Sequence, residues 1–390
     1  MLIIALASLM SIVMFDAKVS LSGDDCDYIL AADDFWHHFI FPTHHGSLYP
    51  IVLSPFVGLF GYKLVLLKFL SVIFTVGSFW FFYKAFERRI PSAVLIPAML
   101  LAAVCSYIFF YAGYTYSEPL FMLLQSVYLY FFSRHFWMKD DIPNYTLRND
   151  WKKYLTLGAL TLAMGMTREI GFCVIGVVIL YFAVKGRWKN LLYTVGAALL
   201  MLAVFYLIKG ILWPNASAGH SFTNLMAKDY YNPNAGMEDA SGLMVRFWDN
   251  SRIYLSAFLC QMLGIVPETP SNWFDADAGR TVVIYVVYFA ALVIIMVRRN
   301  TPLLFAGLYA GVLNFASFVV LQTIWAQDRL IMIYYPLILV FLLGALYYAF
   351  SAERLRRFFI VYPVVLLILL SGTLNITRNR VGRTLPVLQQ

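Results

Sequence analysis

Residues 280–321 read RTVVIYVVYFAALVIIMVRRNTPLLFAGLYAGVLNFASFVVL. Two apolar runs, near 280–297 and 302–321, flank Arg298, Arg299 and Asn300. A helix needs about 20 apolar residues to cross a bilayer core of roughly 30 Å. Lipid offers no partner for backbone N–H and C=O groups, so such a run crosses as a helix. The pattern of apolar run, basic turn and apolar run therefore specifies a transmembrane hairpin, and the two arginines mark its cytoplasmic end.

Outward from this hairpin the pattern recurs. Cutting the chain at charges, Pro and Gly places further runs near 2–19, 62–83, 91–112, 117–134, 154–168, 170–185, 190–212, 330–350 and 358–375. The fold class expected is an all-α membrane protein, a polytopic transmembrane helix bundle of about eleven spans. Composition agrees: 61% of the 390 residues are hydrophobic and 13% are charged, where a soluble domain carries about 25% charged residues. The net charge of +8 does not point to nucleic acid, because the cations punctuate the gaps between apolar runs. Cys26, Cys105, Cys173 and Cys260 show no metal or disulfide spacing. The stretch from Met1 to Phe15 lacks a basic leader and a clear cleavage site, and reads as a retained first span. With no repeat or low-complexity linker visible, residues 1–390 read as one integral membrane domain.

The short loops carry an asymmetric charge. Arg88 and Arg89, Arg134 through Lys153, Lys185 through Lys189, Arg298 and Arg299, and Arg354 through Arg357 fall on one side, which is then cytoplasmic. The basic tail with Arg378, Arg380 and Arg383 falls on the other side, against the rule. Two segments opposite the basic loops are too long for simple turns. Residues 20–61 mix Tyr28, Phe35, Trp36 and Phe39 with acids and histidines, and residues 214–279 carry Phe247, Trp248, Tyr254 and Trp273. Both compositions suit helices lying in the membrane interface within extracytoplasmic loops.

The first of these loops concentrates chemistry. Asp24, Asp25, Asp27, Asp33 and Asp34 share it with His44 and His45. Acidic side chains near lipid are costly, so a cluster of them invites a functional explanation. A carboxylate at a partly dehydrated interface can take a proton from a hydroxyl. Taken singly, each Asp is as readily a solvated loop residue. The soluble-enzyme motifs GxGxxG, GxxxxGK[ST], HExxH and GxSxG are absent, so nucleotide chemistry is unsupported.

Read as spacing, the loop runs Asp24-Asp25-Cys26-Asp27-Tyr28, then His45-Gly46-Ser47-Leu48-Tyr49, and closes on Leu59-Phe60-Gly61. This resembles the GT-C class of integral membrane glycosyltransferases, the superfamily of protein O-mannosyltransferases and the lipid A aminoarabinose transferase. Its first outer loop carries D-[DE]-x-x-Y, then [KH]-P-P-L-Y, then L-F-G. Gly46 and Ser47 stand where that class has paired prolines. Further along, Tyr116-Ser117-Glu118-Pro119-Leu120, Thr167-Arg168-Glu169-Ile170-Gly171 and Asp328-Arg329-Leu330 with Pro336 are similar to later segments of the class, in the same order.

The resemblance implies a polyprenyl-phosphate-linked sugar donor, a lipid, glycan or protein acceptor, and an inverting displacement at the outer face of a cell-envelope membrane. That membrane would be a bacterial inner (plasma) membrane, with the site facing the periplasm or exterior. Asp24 is then the general base, and Asp25 orients acceptor or base. The leaving phosphate needs cations, with Arg168, Arg329, His45 and His44 as candidates. Arg168 and Arg329 rank first, because a guanidinium stays charged and binds two oxygens at once. Tyr28, Tyr49, Glu118, Asp33 and Asp34 are candidate substrate contacts. No cofactor is required, and a divalent cation at Asp24, Asp25 and a neighbouring carboxylate is left open.

Structural alternatives stand beside these roles. Arg168 can pair with Glu169 or Glu118, Arg329 with Asp328, and Glu118 can simply complement a helix N-terminus. His220 reads as an ordinary loop histidine, and the Asn215-Ala216-Ser217 triplet carries no weight. A lipid or amphiphile transporter or flippase is the alternative function, but the charges gather at helix ends and no paired repeat supports it. A non-catalytic scaffold is a third reading. Segment 214–279 is expected to face the acceptor.

Overall fold

The computed structural model describes residues 1–17, 23–43, 45–137, 147–216, 226–229, 231–268 and 276–388. His44 and His220 lie outside the described residues. Each of the eleven apolar runs carries helix. Among the described residues, five helices are long and apolar enough to cross a membrane, six if one bent pair is counted as a single span. The other runs form shorter or more polar helices; α1 (Leu2–Val13), for example, has 12 residues, or about 18 Å at the usual helical rise.

The chain divides into two compact units. One comprises Asp16–Ala85 and Tyr111–Phe222. Its elements are α2 (Asp24–His38), α3 (Leu48–Phe60), α4 (Leu64–Phe86), α7 (Ser117–His135), α8 (Leu147–Thr167), α9 (Val174–Val184) and α10 (Trp188–Leu212). The loop expected to hold interfacial helices is an α2–α3 hairpin. On α2, Asp25, Tyr28, Ile29 and Ala32 are buried, the i, i+3, i+4, i+7 stripe that turns one helix face to a core. That stripe packs with Tyr49, Leu53 and Val57 of α3, Leu67 and Leu70 of α4 and Leu120 of α7. The hairpin closes tightly because a Cβ on Gly58 would fall 2.1 Å from Trp36 Nε1. Its turn is anchored where Trp213, just past α10, donates its indole N–H to the Phe39 carbonyl at 2.7 Å.

Between α8 and α9 the helix breaks into a 3₁₀ turn, Glu169–Cys173. Arg168 enters it in an extended conformation. A Cβ on Gly171 would sit 2.4 Å from the Met164 carbonyl carbon, so this tight return needs glycine. The break leaves Arg168 at a helix end.

The second unit comprises Met1–Phe15, Phe86–Phe110 and Thr223–Gln390. It holds α1, α5 (Ser92–Ala103), α6 (Ser106–Ala112), α11 (Ala240–Ser251), α12 (Ala278–Val297), α13 (Thr301–Val320), α14 (Arg329–Met332), α15 (Tyr335–Phe350) and α16 (Val361–Leu388). Helices α13 and α15 approach closely through glycines: a Cβ on Gly307 would meet the Phe341 ring at 2.6 Å. The expected span 91–112 is bent by 55° between α5 and α6. A break between two helices frees backbone groups, and Thr377 of α16 binds two of them. Its hydroxyl donates to the Val104 carbonyl at 2.7 Å and accepts from the Ser106 N–H at 3.2 Å.

Within the long segment 214–279, the expected helix is present and longer than the interfacial reading required. Helix α11 runs on through a π-helical stretch, Arg252–Leu259, into Cys260–Met262. Its first half is anchored by Arg246, which bonds the Ala227 carbonyl at 2.7 Å and Glu238 at 3.0 Å. Gln322 donates to the same Ala227 carbonyl at 2.7 Å.

Candidate active site

The N-terminal turn of α2 presents three carboxylates, Asp24, Asp25 and Asp27, where the helix dipole favours negative charge. Gly23 precedes them at φ +110°, a backbone that glycine adopts without strain. Helical spacing then sorts the three. Asp25 shares the buried face with Tyr28 and is only 3% exposed. Asp24 is partly exposed and Asp27 exposed, one turn apart on the other side. His45 meets that pair: its Nε2 lies 3.8 Å from Asp24 Oδ1 and 3.8 Å from Asp27 Oδ2.

His45 itself sits at φ +54°, uncommon for a residue with a Cβ. Its neighbour shows why the chain tolerates this. A Cβ on Gly46 would lie 1.8 Å from the Thr167 carbonyl oxygen, so the loop is pressed against the end of α8. The departure from paired prolines at Gly46 is thus a packing requirement: only glycine fits.

From His45 the site continues through aromatic and hydroxyl groups. The Tyr28 ring lies 5.5 Å from the His45 ring and 5.0 Å, edge-on, from Tyr49. Tyr28 Oη donates to Ser117 Oγ at 3.0 Å. Arg168 Nη1 approaches the same Ser117 Oγ at 3.4 Å and the Glu118 carboxylate at 2.5 Å. Glu118 is fully buried, so its charge is tolerated because Arg168 compensates it. Burial, reinforced by Glu118, raises the Tyr28 phenol well above its ordinary value, so it stays a neutral donor. Tyr49 is likewise raised by burial and shares a 3.3 Å contact with the Ser71 hydroxyl.

The first unit therefore gathers Asp24, His45, Tyr28, Tyr49, Glu118 and Arg168. Other candidates lie elsewhere. Asp33 and Asp34 sit on the same helix about 14 Å beyond Asp24 at 1.5 Å per residue. Asp33 pairs with His37 at 3.1 Å, and the Tyr62 hydroxyl bonds to it. Arg329 belongs to the other unit, where its Nε donates to Gln327 at 2.5 Å. Of the structural alternatives, the Arg168–Glu118 pair is present; Asp328 also meets Arg380 at 3.4 Å. Sequence reasoning passed over Ser117, the hydroxyl joining Tyr28 to Arg168. Its position beside Glu118 was the available signal. Among the described residues, no group of three or more His, Cys, Asp or Glu side chains is arranged to hold a metal ion.

No family model matches the chain, and no curated protein matches it significantly. Solved structures do. The chain has the fold of the GT-C glycosyltransferases. It is similar to the archaeal oligosaccharyltransferase AglB of Archaeoglobus fulgidus, determined with an inhibitory peptide and a dolichol-phosphate, at TM-score 0.54 and 14% identity over 97% of this chain and 55% of that one. The same archaeal enzyme tethered to an acceptor peptide with an NVT sequon gives TM-score 0.53 at 14% identity, with the same shares covered. ArnT of Cupriavidus metallidurans in its apo state gives 0.51 at 14% identity, over 97% of this chain and 74% of that one. The chain thus spans about half the length of the archaeal oligosaccharyltransferase it resembles.

Proposed function

We propose that this protein is a membrane glycosyltransferase that moves a sugar from a polyprenyl-phosphate donor to an acceptor hydroxyl at the extracytoplasmic face. The observation that carries the reading is the connected cluster of Asp24, His45, Tyr28, Ser117, Arg168 and Glu118, set in a GT-C fold. That AglB binds a dolichol-phosphate and ArnT shares the fold supports a lipid-phosphate donor.

In this mechanism the acceptor hydroxyl gives its proton to the Asp24 carboxylate as its oxygen attacks the anomeric carbon. The bond from that carbon to the phosphate oxygen breaks on the opposite face, so the configuration inverts. The electron pair leaves on polyprenyl phosphate, whose growing negative charge is met by cations. Arg168 serves this role with the guanidinium donors that Glu118 and Ser117 leave over, since the group carries five N–H bonds, and His45 adds a donor beside the base. Asp25, buried on the adjoining face of α2, orients the acceptor or the base, and Tyr28 and Tyr49 form the aromatic wall. Membrane lipids are the remaining partners, and nucleic acid is not one.

The test is to incubate the purified full chain with a panel of polyprenyl-phosphate sugars and candidate acceptors and to measure free polyprenyl phosphate. Asp24→Asn is expected to remain folded and lose at least ~100-fold in transfer, the scale of general base catalysis. Normal transfer by that folded variant would remove Asp24 from the mechanism. No release from any donor would favour lipid transport over transfer.

A further inference from the structure

Two turns at one end of the second unit are rich in arginine. Arg298 and Arg299 lie between α12 and α13, while Arg354, Arg356 and Arg357 follow α15, with Glu353 as the one acid beside them. The turns are tied together. Arg298 Nη2 donates to the Tyr348 carbonyl at 3.1 Å, and the Asn300 amide donates to the Tyr348 hydroxyl at 3.1 Å. Among the described residues, none of these five arginines forms an ion pair. The second turn is a 3₁₀ helix, Glu353–Phe358, that buries none of its residues. The Leu355 N–H donates to the Ala352 carbonyl at 2.9 Å and the Phe359 N–H to the Arg356 carbonyl at 3.0 Å. In such a helix side chains three apart eclipse, so Arg354 and Arg357 share one face and Leu355 and Phe358 another. Phe358 is 42% exposed, and Ile360 just beyond the turn is 67% exposed.

A turn that buries nothing against its own protein, and sets unpaired cations beside uncovered apolar side chains, is complementary to a lipid headgroup region. There the apolar face enters the acyl boundary while the basic face meets anionic headgroups. We propose that this end of the second unit is a binding site for an anionic phospholipid. Arg354 and Arg357 hold its phosphate, Arg298 and Arg299 add charge, and its acyl chains lie against Leu355 and Phe358. A guanidinium suits phosphate because its planar fork donates to two oxygens at once. The Arg357 guanidinium carbon stands 4.7 Å from the centre of the Phe358 ring, which keeps the charge at the border of the apolar face. Inorganic phosphate would engage the arginines and leave that face in water. The site is separate from sugar transfer, since all of its residues belong to the second unit.

The experiment reconstitutes the purified full chain in nanodiscs of phosphatidylcholine and phosphatidylglycerol, extracts it in detergent, and counts the retained lipids by native mass spectrometry. Phosphatidylglycerol is expected to be enriched over its share of the nanodisc, and an excess of inorganic phosphate is expected to leave it in place. An arginine near an anionic surface contributes about fivefold in affinity. Arg354→Gln combined with Arg357→Gln is therefore expected to lower the preference for phosphatidylglycerol on the order of tenfold. Phe358→Ser, which keeps every charge, is expected to weaken retention as well. No enrichment with the unaltered chain, or undiminished enrichment in the double variant, would overturn the proposal. Displacement by inorganic phosphate, together with indifference to Phe358→Ser, would also overturn it and identify a site for free anions. The phosphate competition needs no substitution, so it decides the matter even if a variant fails to fold.

Discussion

Asp24 and Asp25 are neighbours in sequence and opposites in environment. A rotation of about 100° per residue on α2 leaves one partly exposed beside His45 and puts the other, 3% exposed, in the core. The buried pair of Arg168 and Glu118 follows a similar logic of compensation. Arg168→Met would leave Glu118 as an uncompensated buried charge and is expected to cost about 3–5 kcal/mol. Adding Glu118→Gln should recover most of that loss in a thermal unfolding series, whereas simple additivity of the two changes would mean that the groups are not coupled. Gly46 is fixed by packing rather than charge. With the Thr167 carbonyl oxygen 1.8 Å from where a methyl group on Gly46 would stand, Gly46→Ala should cost about 1–3 kcal/mol through overpacking and reduce transfer by displacing His45. Unchanged stability and activity in that variant would show that the loop relaxes freely.

At the scale of elements, helix ends do most of the placing. The break after Thr167 delivers Arg168, the turn before Arg329 opens α14, and the bend between α5 and α6 is closed by Thr377. Helix α11 in the long outer segment begins on Asp239, whose carboxylate accepts from the Gly242 N–H at 2.7 Å and from the Ser241 hydroxyl at 2.7 Å. Those bonds, the Gly242 N–H first, hold the Asp239 carboxyl below its ordinary value. A depressed acid contributes its stability at pH values above the unfolded-state value of about 3.9 and loses it as pH falls through the lower folded-state value. Helix α11 should therefore keep its cap down to about pH 4 and fray only below. Amide exchange in residues 240–243 should show this, and Asp239→Ala should show the frayed behaviour already at neutral pH. Equal exchange in the two proteins at neutral pH would mean that the cap is immaterial.

At the scale of the whole molecule, the charge asymmetry predicts that α2 lies outside the cell. The basic tail was the exception to that rule, and Arg380 explains part of it, because its charge is taken up by Glu268 and Asp328 and no longer acts as a loop cation. Topology can be read with a native reporter. Cys26 is exposed on α2, whereas Cys105 and Cys260 are buried. A membrane-impermeant maleimide applied to intact cells is expected to label Cys26, and Cys26→Ser should abolish that signal. Labelling that appears only after the membrane is permeabilised would invert the orientation and move the proposed site to the cytoplasm.

The apolar runs, their lengths and their basic turns were legible in the chain because a lipid solvent imposes one rule on every residue: backbone groups must be satisfied within helices. Asp24 and its acidic neighbours stood out because charge beside lipid is conspicuous, and Tyr28, His45, Glu118 and Arg168 became candidates through motifs that resemble those of the GT-C class. Which of them meet was decided only in three dimensions. Arg168 is 50 residues beyond Glu118 in the chain yet bonded to it, Ser117 joins two groups it never neighbours in sequence, and Gly46 matters through a carbonyl on another helix. Arg380 reads as a surface cation until Glu268 and Asp328 are folded against it. Side-chain pairing depends on distance and burial, which are properties of the packed helices, and no local pattern of residues encodes them.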